Sequence, residues 1–172
     1  MPGTYAKPKA YNRIWWIDVR AAEQPEWAKI AVGISSRGNS INEQSQDYYD
    51  MEGRGVAESE VTSVAVTRTF TGWRAIGDKA QDAVMERLYD LDNRTVDFIE
   101  CYDNMEKDAV NGRKGKAVLS ITDDGSGDAQ NRENISFALK ILGTPEKGTV
   151  TVTNNVPTFT PCLLYTSPSP RD

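Results

Sequence analysis

Short apolar segments separated by polar turns recur along the chain, and they predict a protein built mainly of β-strands. The segments alternate apolar with polar residues, or form runs rich in β-branched and aromatic residues, as strands do. In one of them Val64, Val66 and Phe70 share a face, which is typical of a half-buried antiparallel strand. Seven strands are predicted in this way, at Arg13–Arg20, Trp27–Ile34, Val61–Phe70, Val96–Tyr102, Lys116–Thr122, Ile135–Leu142 and Thr149–Thr153.

One stretch, at about residues 78–92, departs from this pattern and predicts a helix. Asp78 is suited to the N-cap, and Gln81 three residues later would complete a capping box for the first turn. The apolar residues have helical spacing and form one stripe, which we expect to pack on the strands. The predicted fold class is mainly β, an antiparallel β-sandwich or partly closed barrel with this one flanking α-helix. The predicted core face of the helix comprises Ala80, Ala83, Val84, Leu88 and Leu91.

A polar segment with several glycines, at about residues 35–60, separates two predicted strands. Connections longer than about 12–15 residues are uncommon in compact domains unless they are functional or disordered. Amphipathic aromatic residues in such a segment favour a protein–protein contact over the alternative, a flexible surface loop. We therefore predict a long polar arm that is mobile in the monomer and ordered only against another subunit. The predicted inter-subunit contacts are Ile41, Asp47, Tyr48, Tyr49, Asp50 and Met51.

Composition and charge exclude several classes of function. The 172 residues fit one domain and carry 20 Lys and Arg against 25 Asp and Glu, a net charge of −5, which disfavours a clamp on nucleic-acid phosphate. The chain has no histidine, so Ser-His-Asp and Cys-His nucleophile systems and His-ligated zinc sites are excluded. Because no convergent reactive set is found, we predict no catalytic residue, no cofactor and no metal.

Two short motifs resemble ligand sites, but their spacing argues against both. Residues 123–128 (DDGSGD) offer oxygen ligands, yet the twelfth position, where a calcium loop has a bidentate Glu, is Asn134. We interpret this motif as an acidic hairpin turn. Residues 111–116 (NGRKGK) lack the Walker spacing and enter a strand, whereas a phosphate loop enters a helix. Asn111-Gly112 predicts a type I′ turn instead.

The two ends of the chain need separate treatment. Residues 1–11 contain two lysines and no apolar run, so we expect neither a signal peptide nor a membrane segment. Residues 149–161 are rich in Thr, Asn, Val and Pro, and we expect a last strand or a linker to a missing C-terminal part. Residues 162–172 (CLLYTSPSPRD) resemble a translated sequencing adapter at every position, so we expect a non-native tail.

The succession of strand, long arm, strand, helix and paired strands resembles the tail tube protein, or major tail protein, of long-tailed bacteriophages. The resemblance covers residues 11–152, and it places a tail tube β-sandwich domain at residues 1–148. The segments that carry it are WIDVR (16–20), WAKIAVGI (27–34), SQDYYDMEG (45–53) and EVTSVAVTRTFTGWRAIGDKAQDAV (60–84).

This resemblance implies a structural virion protein that forms hexameric rings stacked into a hollow tail tube, through which DNA is ejected. Four strands of each subunit would join those of its neighbours in one barrel, and the arm would reach an adjacent ring. The implied partners are further copies of the chain and other tail proteins, such as the tape measure and the tail terminator, with DNA only as passing cargo and no membrane. The implied location is the virion tail, after assembly in the host bacterial cytoplasm.

Other functions remain open on the sequence alone. The same fold serves as the inner tube of contractile tails and secretion machines, a β-sandwich could be a binding or adhesin module, and a small carboxylate enzyme is a third class.

A passive conduit for DNA also predicts a net negative or neutral bore, with basic residues such as Arg87, Lys107 and Lys140 outside it or neutralised by neighbours.

Overall fold

The computed structural model describes residues 8–20, 23–102 and 109–162. Within these ranges the chain forms eight strands, one short 3-10 turn and one α-helix. In chain order the elements are the 3-10 turn Ala10–Asn12, β1 (Arg13–Asp18), β2 (Trp27–Lys29), β3 (Ile34–Tyr48), β4 (Glu58–Trp73), α1 (Lys79–Glu86), β5 (Thr95–Tyr102), β6 (Val110–Asp123), β7 (Asn134–Thr153) and β8 (Val156–Pro161).

All eight strands belong to one antiparallel sheet, which does not close on itself. The strand order is β2-β1-β5-β6-β7-β4-β3, and β8 pairs with the second part of β7. The prediction of a mainly β fold with one flanking helix is therefore confirmed. β2 and β3 lie at the two ends of the order, so each has one edge without a neighbour among the described strands.

The sheet carries an apolar layer on each face, because successive residues of a strand point to opposite sides. The larger layer contains Trp15, which lies 5.3 Å from Phe98 between ring centroids, and Phe70, which stacks on Phe137 at 5.4 Å. We call this side the inner face, and α1 packs against it through Ala80 and Val84. The smaller layer, on the outer face, comprises Trp16, Ile99, Cys101 and Val150, with Phe159 of β8 packed against it.

The helix is shorter than the sequence predicts. Asp78 is the N-cap and accepts a hydrogen bond from the amide of Gln81, but α1 ends at Glu86, and Arg87 is its C-cap. Ala80, Ala83 and Val84 are buried as expected from the stripe. The last two positions of the predicted core face need correction: Leu88 is half-buried, and Leu91 is 77% exposed because it lies beyond the end of the helix.

Arginine side chains explain why the helix stops while its apolar spacing continues. The guanidinium of Arg87 is buried and donates hydrogen bonds to the carbonyl oxygens of Ala83 (2.7 Å) and Val19 (2.9 Å). Arg94 donates to the carbonyl oxygens of Leu88 and Leu119. These donors satisfy carbonyls that a longer helix would have paired with its own amides, and they fasten the end of the helix to the sheet.

Two turns differ from the predictions in the second half of the chain. Asn111-Gly112 is not a turn, since both residues lie inside β6 and pair with β7. The strands predicted at Ile135–Leu142 and Thr149–Thr153 are one strand of 20 residues, β7. The tight turn lies instead at Asn154-Asn155, whose φ values of 51° and 64° suit a two-residue hairpin with β8. Residues 149–161, expected to be a last strand or linker, therefore belong to the sheet.

Candidate assembly surface

The segment predicted to be a mobile loop is a long β-hairpin. β3 and β4 pair from Ile34↔Gly72 to Tyr48↔Glu58, and residues 49–57 connect them. β4 also pairs with β7, but only as far as Thr67↔Lys140. Beyond this point, residues 41–66 form a two-stranded ribbon, which we call the arm. The expectation of an arm without structure of its own is thus corrected, because cross-strand backbone hydrogen bonds order it in a single chain.

An apolar row follows the inner face of the arm and is open to solvent. Ile41 is paired with Val66, and Glu43 with Val64, so these side chains share the face that carries Phe70 further along β4. Ile41, Val61 and Val64 are all exposed, Val64 to 54%. An isolated two-stranded hairpin is marginally stable in water, and a contiguous exposed apolar patch marks a site of interaction. The inner face of the arm is therefore an exposed apolar surface of the kind that another molecule buries.

The tip of the arm adds exposed aromatic and aliphatic side chains to this row. Tyr48 ends β3, and Tyr49, Met51 and Val56 lie in the connection, with Met51 exposed to 97%. Two carboxylates hold the local geometry: Asp50 accepts a hydrogen bond from the Gly53 amide, and Asp47 accepts one from the Ser59 hydroxyl. The tip thus presents flexible apolar groups on a constrained backbone.

The six predicted contact residues all lie in the arm, and the structure distributes them over its parts. Ile41 lies on the inner face of the ribbon and Asp47 near its end, whereas Tyr48 points to the opposite face and Tyr49, Asp50 and Met51 lie in the connection. Sequence reasoning missed Val61 and Val64 as contact residues. The alternation through Val64 predicts burial for that face, and Val61 joins the face only through the register shift between Gln44 and Ser45. The polar sequence of the partner strand, β3, is the signal that could have distinguished these exposed residues from the buried ones.

The base of the arm is fixed where two glycines meet. The amide of Trp73 donates to the carbonyl oxygen of Gly33 (2.8 Å), and a Cβ on Gly72 would lie 1.9 Å from that oxygen. Gly33 has φ +75°, a conformation that glycine adopts without strain. The chain entering β3 therefore passes in contact with the end of β4.

Gln81 of α1 connects the helix to this base. Its buried side-chain amide donates to the carbonyl oxygens of Val32 (2.7 Å) and Trp73 (3.2 Å), and its oxygen accepts from the amide of Ala75 (2.8 Å). The side chain therefore does not reach back to the N-cap, as the predicted capping box requires. Instead, Gln81 joins the helix to the segment before β3 and to the end of β4.

Charged residues collect on the inner face beside the aromatic core, at the end where the arm leaves the sheet. We call Arg13, Arg37, Arg68 and Arg113, together with Glu100, the basic cluster. Glu100 is only 5% exposed, and Arg13 forms an ion pair with it and donates from Nε to Oε2 at 2.9 Å. Arg37 donates to the carbonyl oxygen of Arg13 (3.0 Å), and Arg113 lies directly opposite Glu100 in the β5–β6 register.

The electrostatics of the cluster are unbalanced. Burial, and next the charge of Arg13, lower the pKa of the Arg68 guanidinium from its usual value, and the same two causes lower the pKa of Arg37. Nε of Arg68 is buried and has no hydrogen-bond partner among the described residues. A cleft of about 600 Å³ opens beside the cluster and is lined by Arg13, Arg68, Glu100, Arg113 and Lys147 among others.

The acidic residues of the described chain do not gather into a metal site. Among them, no three His, Cys, Asp or Glu side chains lie close enough to hold a metal ion. Asp123 in the DDGSGD motif instead accepts hydrogen bonds from the amides of Gly125 and Ser126 and from the Ser126 hydroxyl, which lower the pKa of its carboxyl. The motif closes the β6–β7 connection. No helix in the described part of the chain has the length and apolar character needed to cross a membrane.

Comparisons with known proteins identify the fold. No protein-family model matches the sequence, and the search of curated proteins found no match. Among solved structures, the tail of an empty GTA (gene transfer agent) particle, computed with C6 symmetry, is similar at a TM-score of 0.62 and 15% identity, covering 81% of this chain and 97% of that one. The SPP1 tail tube is similar at 0.61 and 17%, covering 86% and 81%.

A contractile assembly also shares the architecture. The sheath/tube terminator of the extracellular contractile injection system PVC is similar at a TM-score of 0.54 and 14% identity, covering 84% of this chain and 99% of that one. At such identities the likeness concerns the fold and not the chemistry of individual residues. The chain therefore has the fold of tail tube proteins, the fold that the resemblance in its sequence implied.

Proposed function

We propose that this chain is a structural protein of a virion tail, which forms rings of six subunits that stack into a tube through which DNA is ejected. The observation that carries the proposal is the arm, whose apolar row is exposed in a fold shared with tail tubes. A monomer would leave this row in water. A second copy of the chain would bury it, and repetition of that contact builds an assembly.

The edges of the sheet support a ring. β3 is a strand of 15 residues with one edge unpaired among the described strands, and β2 is a short edge at the other end of the strand order. Edge strands that are long and uncovered promote pairing with another chain, and closure of a barrel removes them. A head-to-tail contact that closes after six copies would satisfy both edges of every subunit.

The remaining parts of the proposal follow from the tail tube role. The tail tube domain, expected at residues 1–148, would also include the strands at residues 149–161, and residues 162–172 would be a non-native tail. The partners would be other copies, a tape measure protein and a tail terminator, in a virion tail assembled in the host bacterial cytoplasm. The chain would be no enzyme, and DNA would be passing cargo. Leu163–Asp172 and Lys107 lie outside the described residues.

A second candidate is the inner tube of a contractile tail or injection system. The similarity to the PVC sheath/tube terminator, which covers nearly all of that chain, favours it as the alternative. Both candidates require assembly through the same kind of surface. They differ in the outer wall of the tube, which in a contractile system carries a sheath.

The test is assembly of the purified chain with and without its arm. We expect negative-stain images at rising protein concentration to show rings and tubes for the wild type. In the variant, residues 42–65 are replaced by Asn-Gly, so that a two-residue turn joins Ile41 to its partner Val66. This variant should keep a cooperative thermal transition and remain monomeric at every concentration. A folded variant that still forms tubes would show that the arm is not the assembly element.

A further inference from the structure

The basic cluster holds more positive charge than the described chain neutralises. Four guanidinium groups share the inner face with one buried carboxylate, and that carboxylate forms its ion pair with Arg13. Arg37, Arg68 and Arg113 form no ion pair with any described residue. Half-buried guanidinium groups that crowd each other are costly to keep charged, and an added carboxylate relieves this cost.

Arg68 is the member of the cluster with a buried donor that no described residue accepts. It sits on β4 opposite Asn39, on the same face as Phe70, and its side chain lines the 600 Å³ cleft together with Arg113. Its Nε is buried without a hydrogen bond to a described residue, although buried guanidinium donors are normally satisfied. Arg113 is exposed at the rim of the same cleft. A carboxylate entering there would meet two guanidinium groups.

The arm carries the opposite charge. Between residues 41 and 66 there are six acidic residues and one basic residue, Arg54. All six are exposed, and none forms an ion pair with a described residue. Asp47 and Asp50 serve local hydrogen bonds, whereas Glu52 and Glu58 at the tip have no such bond within the described chain.

The tip cannot reach the cluster of its own chain. Arg68 pairs with Asn39 of β3, and the strand continues nine residues further to Tyr48 before the connection begins. A strand rises about 3.3 Å per residue, so the tip lies on the order of 30 Å from the cluster along the ribbon. Contact between the two charged surfaces therefore requires two molecules.

We propose that the acidic tip of the arm, through Glu52 and Glu58, docks into the basic cluster of a second copy of this chain and pairs with Arg68 and Arg113. This rests on the proposed function and names the surface that receives the arm. The apolar row would cover hydrophobic area beside the cleft, and the carboxylates would fix the register of the contact. Each copy has one arm and one cluster, so the contact is head-to-tail and repeats along an assembly.

Charge reversal on each side tests the proposal. The cluster variant is Arg113→Glu, chosen because Arg113 is exposed. Since the new carboxylate lies opposite Glu100, a cooperative thermal transition of the monomer is required before assembly of this variant is compared. The arm variant is Glu52→Lys with Glu58→Lys, and the third protein combines all three changes. Lys140→Glu is the matched control, because it makes the same charge change at an exposed position of β7 that points to the outer face.

The readout is the critical concentration for assembly, measured by sedimentation over a series of NaCl concentrations and checked by negative stain. We expect each reversal alone to raise it several-fold and to weaken its dependence on salt, and the combined variant to lower it again. Lys140→Glu should assemble like the wild type. A combined variant no better than its parents, an unaffected Arg113→Glu protein, or an equal loss in Lys140→Glu would overturn the proposal.

Two further outcomes separate this proposal from its alternatives. If the wild type assembles but the reversals have no effect, the docking site is wrong and the tail tube role stands. If the wild type forms no assembly at any concentration, both fail. Binding of a short duplex DNA to the unassembled wild type that Arg113→Glu abolishes, with assembly unchanged, would assign the cluster to nucleic-acid phosphate and overturn the docking.

Discussion

The two halves of β4 carry the same alternating pattern but lie in opposite surroundings. Phe70 is 2% exposed and stacks on Phe137, whereas Val64, six residues earlier on the same face, is more than half exposed. Around Phe70 the cover comes from Trp15 of β1 and Phe137 of β7 in the same chain, and around Val64 the sheet ends because β4 has left β7. An alternating strand thus indicates an apolar face that needs to be buried. Whether the same chain buries it depends on how far the neighbouring strands extend.

The largest effect should come from removing a core side chain in the body of the sheet. Phe137 is fully buried in the inner apolar layer and stacks on Phe70, so Phe137→Ala leaves a cavity that costs about 3–5 kcal/mol of unfolding free energy. Chemical denaturation of the monomer measures this. A loss below about 1 kcal/mol would mean that the inner face is loosely packed. The contrast between a tightly covered body and an uncovered arm would then be wrong.

A smaller effect is expected at the base of the arm, where Gln81 of α1 holds it. Gln81→Ala removes the partners of the Val32 and Trp73 carbonyls and of the Ala75 amide. Unsatisfied groups cost roughly 1–3 kcal/mol each, so we expect a total loss of about 2–4 kcal/mol after partial access of water.

The control for Gln81→Ala is Glu86→Ala, an exposed position at the end of the same helix, which should change stability by less than about 0.5 kcal/mol. Equal losses in the two variants would show that Gln81 acts through helix propensity and does not hold the base of the arm.

In the arm itself, stability and assembly should separate. Ile41→Ser and Val64→Ser alter exposed side chains, so each should change the unfolding free energy of the monomer by less than about 0.5 kcal/mol. Both should nevertheless raise the concentration needed for assembly, because they remove apolar area that the proposed contact with a second copy would cover. Parallel denaturation and sedimentation measurements test this. Large destabilisation of the monomer would show that the row is already covered within one chain.

The smallest effect belongs to the exposed β6–β7 connection. Hydrogen bonds from Ser126 and Gly125 hold the pKa of Asp123 below its ordinary value of 3.8. A depressed folded pKa contributes stability that is present above the unfolded value and is lost as the pH falls through the folded value. The difference in stability between wild type and Asp123→Asn should therefore be small at pH 7. It should disappear once the pH falls below the folded pKa of Asp123, which lies under 3.8. A difference that does not change with pH would contradict the hydrogen-bond origin.

The sequence predicts the strands of the body well, because their apolar residues alternate and are buried. It also locates α1 and its N-cap, Asp78, but not the end of the helix. Arg87 and Arg94 cap that end, and each also donates to a carbonyl distant in sequence, of Val19 and Leu119 respectively. The arm is the main structural error. β3 is polar on both faces, so no periodicity marks it, and only its pairing with β4 makes it a strand.

The candidate site is predictable only in part for the same reason. The exposed residues of the arm tip, such as Tyr49 and Met51, are visible in the sequence as apolar groups in a polar segment. The basic cluster is not, because Arg13, Arg68, Glu100 and Arg113 come from four strands that meet only through the sheet order. A charge pattern distributed over distant segments leaves no local signal.

The most direct test of the tail tube role is a cryo-EM reconstruction of whatever the purified chain forms at high concentration. The account predicts hollow tubes with six subunits in each ring and with residues 41–66 of each subunit seated against a neighbouring copy. Particles that remain monomeric at every concentration, or tubes in which the arm projects into solvent while other surfaces make all the contacts, would contradict it.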